Sequence, residues 1–140
     1  MDKLYRFSPI KDVETVDKVF QYLTLELEKL SLKIFKEKFP IDTLKIFAHY
    51  PEEYDFLYSL ISKMGTKSDY SSDTSFYVNV DKKIKGYQIK LLGLRIVDPY
   101  RMQVGCGDYE VGNFQEIKEK NLSSTIYVRD MSKYHQNPRV

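Results

Sequence analysis

The sequence predicts a single domain of the α+β class: a mixed or antiparallel sheet with a long N-terminal helix and further helices packed on one face. Three observations carry that expectation. Over a long N-terminal stretch, apolar residues recur every three or four positions, the period of one helix face. Beyond it, shorter runs alternate apolar with polar residues, the period of a strand. Those runs come in the order strand, helix, then three strands, without the regular alternation of a parallel α/β sheet. A chain of 140 residues is one domain in length, long enough to bury roughly two thirds of its unfolded surface.

Taken in order, residues 1–7 read as a short extended arm, with Leu4, Tyr5 and Phe7 available to dock on the body. Ser8-Pro9 reads as a helix start, because serine caps and proline suits the first helical position. The helical pattern then covers about 8–39, and Pro40 ends it. Val16, Val19, Phe20, Leu23, Leu27, Leu30 and Ile34 make one stripe along it. An unbroken helix of that length would span about 45 Å, more than a small domain is wide, so it either breaks near 12–15 or projects toward a partner. Leu25 and Leu32 lie off the stripe, while Phe35 and Phe39 widen it. So broad an apolar surface suits core packing or, alternatively, a homodimer interface.

Residues 44–49 (LKIFAH) form a short β-rich run. Pro51 opens a second helix with Glu52 and Glu53 at the positive end of its dipole, and Tyr54, Leu57, Leu60, Ile61 and Met64 supply the apolar face. A polar loop over 66–73 leads to a strand at 75–80, with Phe76, Val78 and Val80 on one side. Residues 81–86 then read as a charged connection. The runs 87–97 and 103–111 flank Asp98-Pro99-Tyr100-Arg101, which fits a type I turn with proline at its second position, so the two runs are expected to pair as a β-hairpin. Tyr87, Ile89 and Leu91 share one parity, and Leu92, Leu94 and Ile96 the other. Such a strand is either bulged, most cheaply near Gly93, or covered on both faces. In the second run Cys106, Asp108 and Glu110 share a face, and Gly105 and Gly107 lie opposite, leaving a strip where a backbone, a helix or a ligand can come close. Asn113 and Glu116 form a capping box for a third helix, 124–129 reads as a last strand, and 130–140 as a loose tail.

A formal charge of +2 is too small to name nucleic acid or a membrane as partner. Charge is clustered, however: Lys82, Lys83, Lys85, Lys90, Arg95 and Arg101 fall where Asp98 is the one acid. That run suits a solvated edge strand or an anion-binding surface; binding of nucleic acid with Tyr87 and Tyr100 stacking is a further alternative. The single Cys106 excludes an intrachain disulfide and fits a reducing compartment. With no apolar signal core and no stretch of membrane-spanning length, a cytoplasmic protein is expected. Phosphate loops, dinucleotide fingerprints, paired cysteines and the common hydrolase motifs are missing.

Imidazole beside carboxylates suits a divalent transition metal, which makes His49 with Glu110 and Asp108 the candidate metal set. Arg95, Arg101, Tyr100 and Cys106 are the candidate substrate-binding groups, the arginines receiving an anionic part of a small-molecule ligand. A Cys106–His49 nucleophile and base would require the fold to join them, and a lone strand cysteine is more often a small apolar residue.

Over 44–111, about half the chain, the order strand–helix–strand–strand–strand resembles one βαβββ module of the vicinal oxygen chelate superfamily, which includes glyoxalases and bleomycin-resistance proteins. Metal-dependent members take a His from the first strand and a Glu from the fourth, and His49 and Glu110 fall on the corresponding runs. The resemblance implies a divalent metal acting as Lewis acid between them. Members of that family usually combine two modules and this chain holds one, so the implied site belongs to a homodimer or is a half-site. His49 also sits at the end of its strand, a departure from the pattern. Beside this reading stands a non-catalytic interaction module that uses the N-terminal helix.

Overall fold

The structure, a computed structural model, describes residues 6–110. The expected third helix, last strand and tail lie outside the described residues, as do Leu4 and Tyr5 of the N-terminal arm.

Helix α1 spans Val13–Phe35 and starts later than Ser8-Pro9 suggests. Asp12, extended at φ −146°, is its cap, with a carboxylate oxygen accepting from the Thr15 N–H at 2.7 Å. The Ser8 hydroxyl is instead engaged with His49. At the other end Lys36 turns into the left-handed region at φ 63°, so the helix stops before Pro40 is reached. At 23 residues it is about 35 Å long, in keeping with a break near 12–15.

Val16, Val19, Phe20 and Leu23 are buried as the stripe predicts, but Leu30 is 45% exposed. Contact has moved round the helix to Thr24 and Ser31, both fully buried. Their hydroxyls donate back to the carbonyls of Phe20 and Glu28, so neither is buried unsatisfied.

The remaining elements are β1 (Ile41–Phe47), α2 (Pro51–Ser62), β2 (Thr66–Lys67), β3 (Ser75–Ile84), β4 (Tyr87–Arg95) and β5 (Gly105–Tyr109). The strands form a mixed sheet in the order β2-β3-β4-β1-β5, with β1 parallel to β4 and antiparallel to β5. The α+β class holds, but the expected hairpin between the runs around Pro99 does not, because β1 lies between them. The turn itself forms, with the Arg101 N–H donating to the Asp98 carbonyl at 3.2 Å. Residues 96–104 are long enough to cross the end of β1 before β5 begins. The hairpin is β3–β4, closed by Lys85 (φ 52°) and Gly86 (φ 87°), the pair of positive φ values that a two-residue hairpin turn demands. The predicted charged connection over 81–86 is therefore mostly strand.

The irregularity opposite β4 is an extra residue in β3, and the register at Gly93 is regular. Register against β3 shifts between Asn79 and Lys82, opposite Ile89 and Leu91. Ile89 joins Leu92 and Leu94 in the core although its parity differs, and Leu91, which shares its parity, is buried as well. That core is a single cluster: Leu44, Ile46, Phe76, Val78, Leu92 and Leu94 from the sheet meet Val16, Val19, Phe20 and Leu23 of α1 and Leu57 and Ile61 of α2. The strip left by the two glycines of β5 is filled by α1. A Cβ on Gly107 would come within 2.5 Å of Leu27 Cδ1, and one on Gly105 within 3.1 Å of Leu23 Cδ1. Tyr109 then donates its hydroxyl to the Leu27 carbonyl at 2.5 Å. Among the described residues no helix is long and apolar enough to cross a membrane.

Candidate anion-binding face

Strand alternation assigns the other face of the sheet. With Leu44 and Ile46 on the core side, Thr43, Lys45 and Phe47 of β1 point away from it. Register places Gly93 and Cys106 on either side of Lys45, Arg95 beside Phe47, Asp108 beside Thr43, and Tyr77 across Gly93. This face therefore carries three strands' worth of polar chemistry around one lysine.

Gly93 makes the arrangement possible. A Cβ there would come within 2.6 Å of the Tyr77 ring and 3.2 Å of Lys45 Cγ, so both side chains lie across the bare backbone of β4. Lys45 Nζ sits 5.5 Å from the Tyr77 ring centre and 5.9 Å from that of Phe47, and donates to Ser75 Oγ at 3.2 Å. The turn at 98–101 brings the Arg101 guanidinium to 5.9 Å from the Phe47 ring, with its Nε 3.3 Å from Asp98 Oδ2. Arg95 Nε is buried and, among the described residues, has no hydrogen-bond partner.

Cys106 reports the field of this cluster. Its residue surface is exposed, yet neighbouring side chains crowd the sulfur, and that desolvation is the largest influence, pushing the thiol up. Lys45 opposes it, Asp108 adds to it, and Arg101 and Arg95 oppose it again. The Tyr77 phenol is also pushed up, mainly by burial and then by Asp108 and Cys106. Three cations thus converge on one thiol, against Asp98, which Arg101 already engages, and Asp108.

Of the residues singled out from sequence, Arg95, Arg101, Cys106 and Asp108 meet here. Tyr100 does not: it is 91% exposed, at the tip of the turn. His49 and Glu110 are not brought together within the chain. The Glu110 N–H donates to the Pro40 carbonyl just before β1, whereas His49 follows its far end. The seven residues of β1, at about 3.3 Å each, put about 23 Å between them. Glu110 is exposed and pairs with Lys90 at 3.4 Å. With β2 counted, it also follows the fifth strand rather than lying on the fourth.

His49 is buried, and the protein engages both its ring nitrogens. Nε2 lies 3.1 Å from the Gln103 carbonyl, which can only accept, so Nε2 carries the proton. Nδ1 lies 2.6 Å from Ser8 Oγ and 3.8 Å from Glu53 Oε1. The His49 N–H donates to Glu53 Oε1 and the Ile10 N–H to Glu53 Oε2, each at 2.7 Å, holding that fully buried carboxylate. Among the described residues no three His, Cys, Asp or Glu side chains are placed to hold a metal ion. Within one chain, β1 separates His49 from Glu110, so the two do not share a site there.

Lys45, Phe47, Ser75, Tyr77 and Gly93 were not identified from sequence. One signal was present: Lys45 interrupts an apolar strand run, and a lysine there must face away from the core. Compared with family models, curated proteins and solved structures, the chain matches none.

Proposed function

We propose that the sheet face opposite α1 and α2 binds a small anionic molecule, with Lys45, Arg95 and Arg101 receiving its carboxylate or phosphate oxygens. The observation that carries this reading is Arg95 Nε, a buried donor with no partner among the described residues, in a cluster of cations on the sheet face opposite α1 and α2. A buried donor left unmade costs about 1–3 kcal/mol, and an oxyanion would recover it through a charge-assisted bond. The cations are held in place beforehand: Lys45 by Ser75 and two rings, Arg101 by Asp98 and Phe47. Less side-chain freedom is then lost on binding.

The single cysteine makes the test direct. Alkylation of Cys106 by iodoacetate should be several-fold faster, relative to neutral iodoacetamide, than alkylation of a free small thiol. That preference should decline with salt as the local potential is screened. Inorganic phosphate and citrate should protect the thiol saturably, and Lys45→Gln, Arg95→Gln and Arg101→Gln should each lower both preference and protection. Equal rates for the two reagents, with no protection by either anion, would overturn the proposal.

A further inference from the structure

The geometry points to His49 as the positioning residue that sets Arg101 at the anion-binding face. This rests on the function proposed above. The segment 96–104, which carries Arg101, is pinned by four hydrogen bonds. The Ile96 N–H donates to the Thr74 carbonyl at 3.0 Å, the Asp98 N–H to the Ala48 carbonyl at 3.1 Å, and the Phe47 N–H to the Val104 carbonyl at 3.0 Å. The fourth runs from His49 Nε2 to the Gln103 carbonyl at 3.1 Å. Three of the four originate in residues 47–49, so the end of β1 holds both feet of the turn. The first three are backbone bonds; the fourth belongs to a side chain, and it alone can be removed by a substitution that leaves the backbone donors in place.

The ring cannot hold Gln103 unless its own orientation is fixed. Ser8 does this from the other side, its Oγ 2.6 Å from Nδ1, while the Gln103 carbonyl requires a hydrogen on Nε2. A line of contacts thus leads from Ser8 through the imidazole to the Gln103 carbonyl, and from there two residues back to Arg101. The turn that connects them is itself closed: the Asp98 carboxylate accepts from the Tyr100 N–H and meets Arg101 Nε. A shift of the Gln103 foot therefore moves Arg101 with the turn, instead of dissipating in a slack loop. His49 contributes position to the site, not a ligand contact.

Two substitutions separate positioning from mere stability. Gln at 49 can offer its amide N–H near the place of Nε2, whereas the shorter Asn reaches only the Nδ1 region. Both variants should lose stability, since both disturb a buried polar junction. His49→Gln should nevertheless keep the iodoacetate preference of Cys106, and His49→Asn should reduce it to the level of Arg101→Gln. Amide hydrogen exchange supplies a readout that needs no anion: the Arg101 N–H should exchange several-fold faster in His49→Asn and at the wild-type rate in His49→Gln. Should His49→Asn fail to fold, Ser8→Ala, which frees the ring without removing it, should accelerate the same amide. Wild-type exchange at Arg101 in His49→Asn or Ser8→Ala, or equal losses in the Gln and Asn variants, would overturn the inference. A wild-type protein without reagent preference would sink the anion reading alone, because the exchange comparison stands independently of it.

Discussion

Tyr87 and Glu28 show how single residues tie the hairpin to the helix. The Tyr87 hydroxyl donates to Glu28 Oε1 at 2.7 Å, and Lys38 reaches the same oxygen at 3.0 Å. The Tyr87 bond, followed by that of Lys38, holds the Glu28 carboxyl below its ordinary value of 4.5. A carboxylate depressed in the folded state adds stability that is complete above its unfolded value and disappears as pH falls through the lower, folded one. Tyr87→Phe should therefore cost about 1 kcal/mol at neutral pH, discounted for partial exposure, and progressively less in acid. Denaturant midpoints of both proteins at neutral and acid pH would check it; an undiminished gap in acid would mean that the carboxylate is not the partner that matters.

At the scale of the element, α1 separates what a periodic stripe promises from what a sheet can cover. Phe20 is buried near the middle of the contact, so Phe20→Ala should cost about 3–5 kcal/mol. Leu30, in the same stripe, stands 45% exposed, and Leu30→Ala should stay within about 0.5 kcal/mol. Leu27 lies between these cases, half-buried where it closes over Gly107. Equilibrium unfolding of the two variants would measure the contrast; equal costs would mean that the straight stripe, and not the drifting line through Thr24 and Ser31, is what packs. The drift has a geometric cause. A twisted sheet presents a changing direction to a straight helix, so the buried line moves round the helix along its length.

The whole molecule buries its tyrosines unequally, and that should be visible in alkali. Burial pushes Tyr87 and Tyr109 up to about 12 and raises Tyr77 as well, while Tyr100 stands in solvent. A phenol raised in the folded state contributes stability in full below its unfolded value of 10, and loses it as pH rises through the folded one. Phenolate absorbance should consequently grow in two phases, the later one coinciding with loss of the helical circular dichroism signal. A single phase completed while the helices remain intact would contradict this burial pattern.

By itself, the sequence determined the local structure, because local structure follows from short-range patterns. Pro51 started α2, and two glycines in β5 marked the close approach of α1. Parity also put Cys106 and Asp108 on one face. Strand partnership was decided only by the tertiary structure. Every strand offers the same backbone N–H and C=O groups, so the partner it takes depends on which arrangement buries the most apolar surface over the whole chain. Here that arrangement inserts β1 between β4 and β5, which sets Lys45 among Tyr77, Arg95 and Cys106 and leaves His49 and Glu110 at opposite ends of one strand.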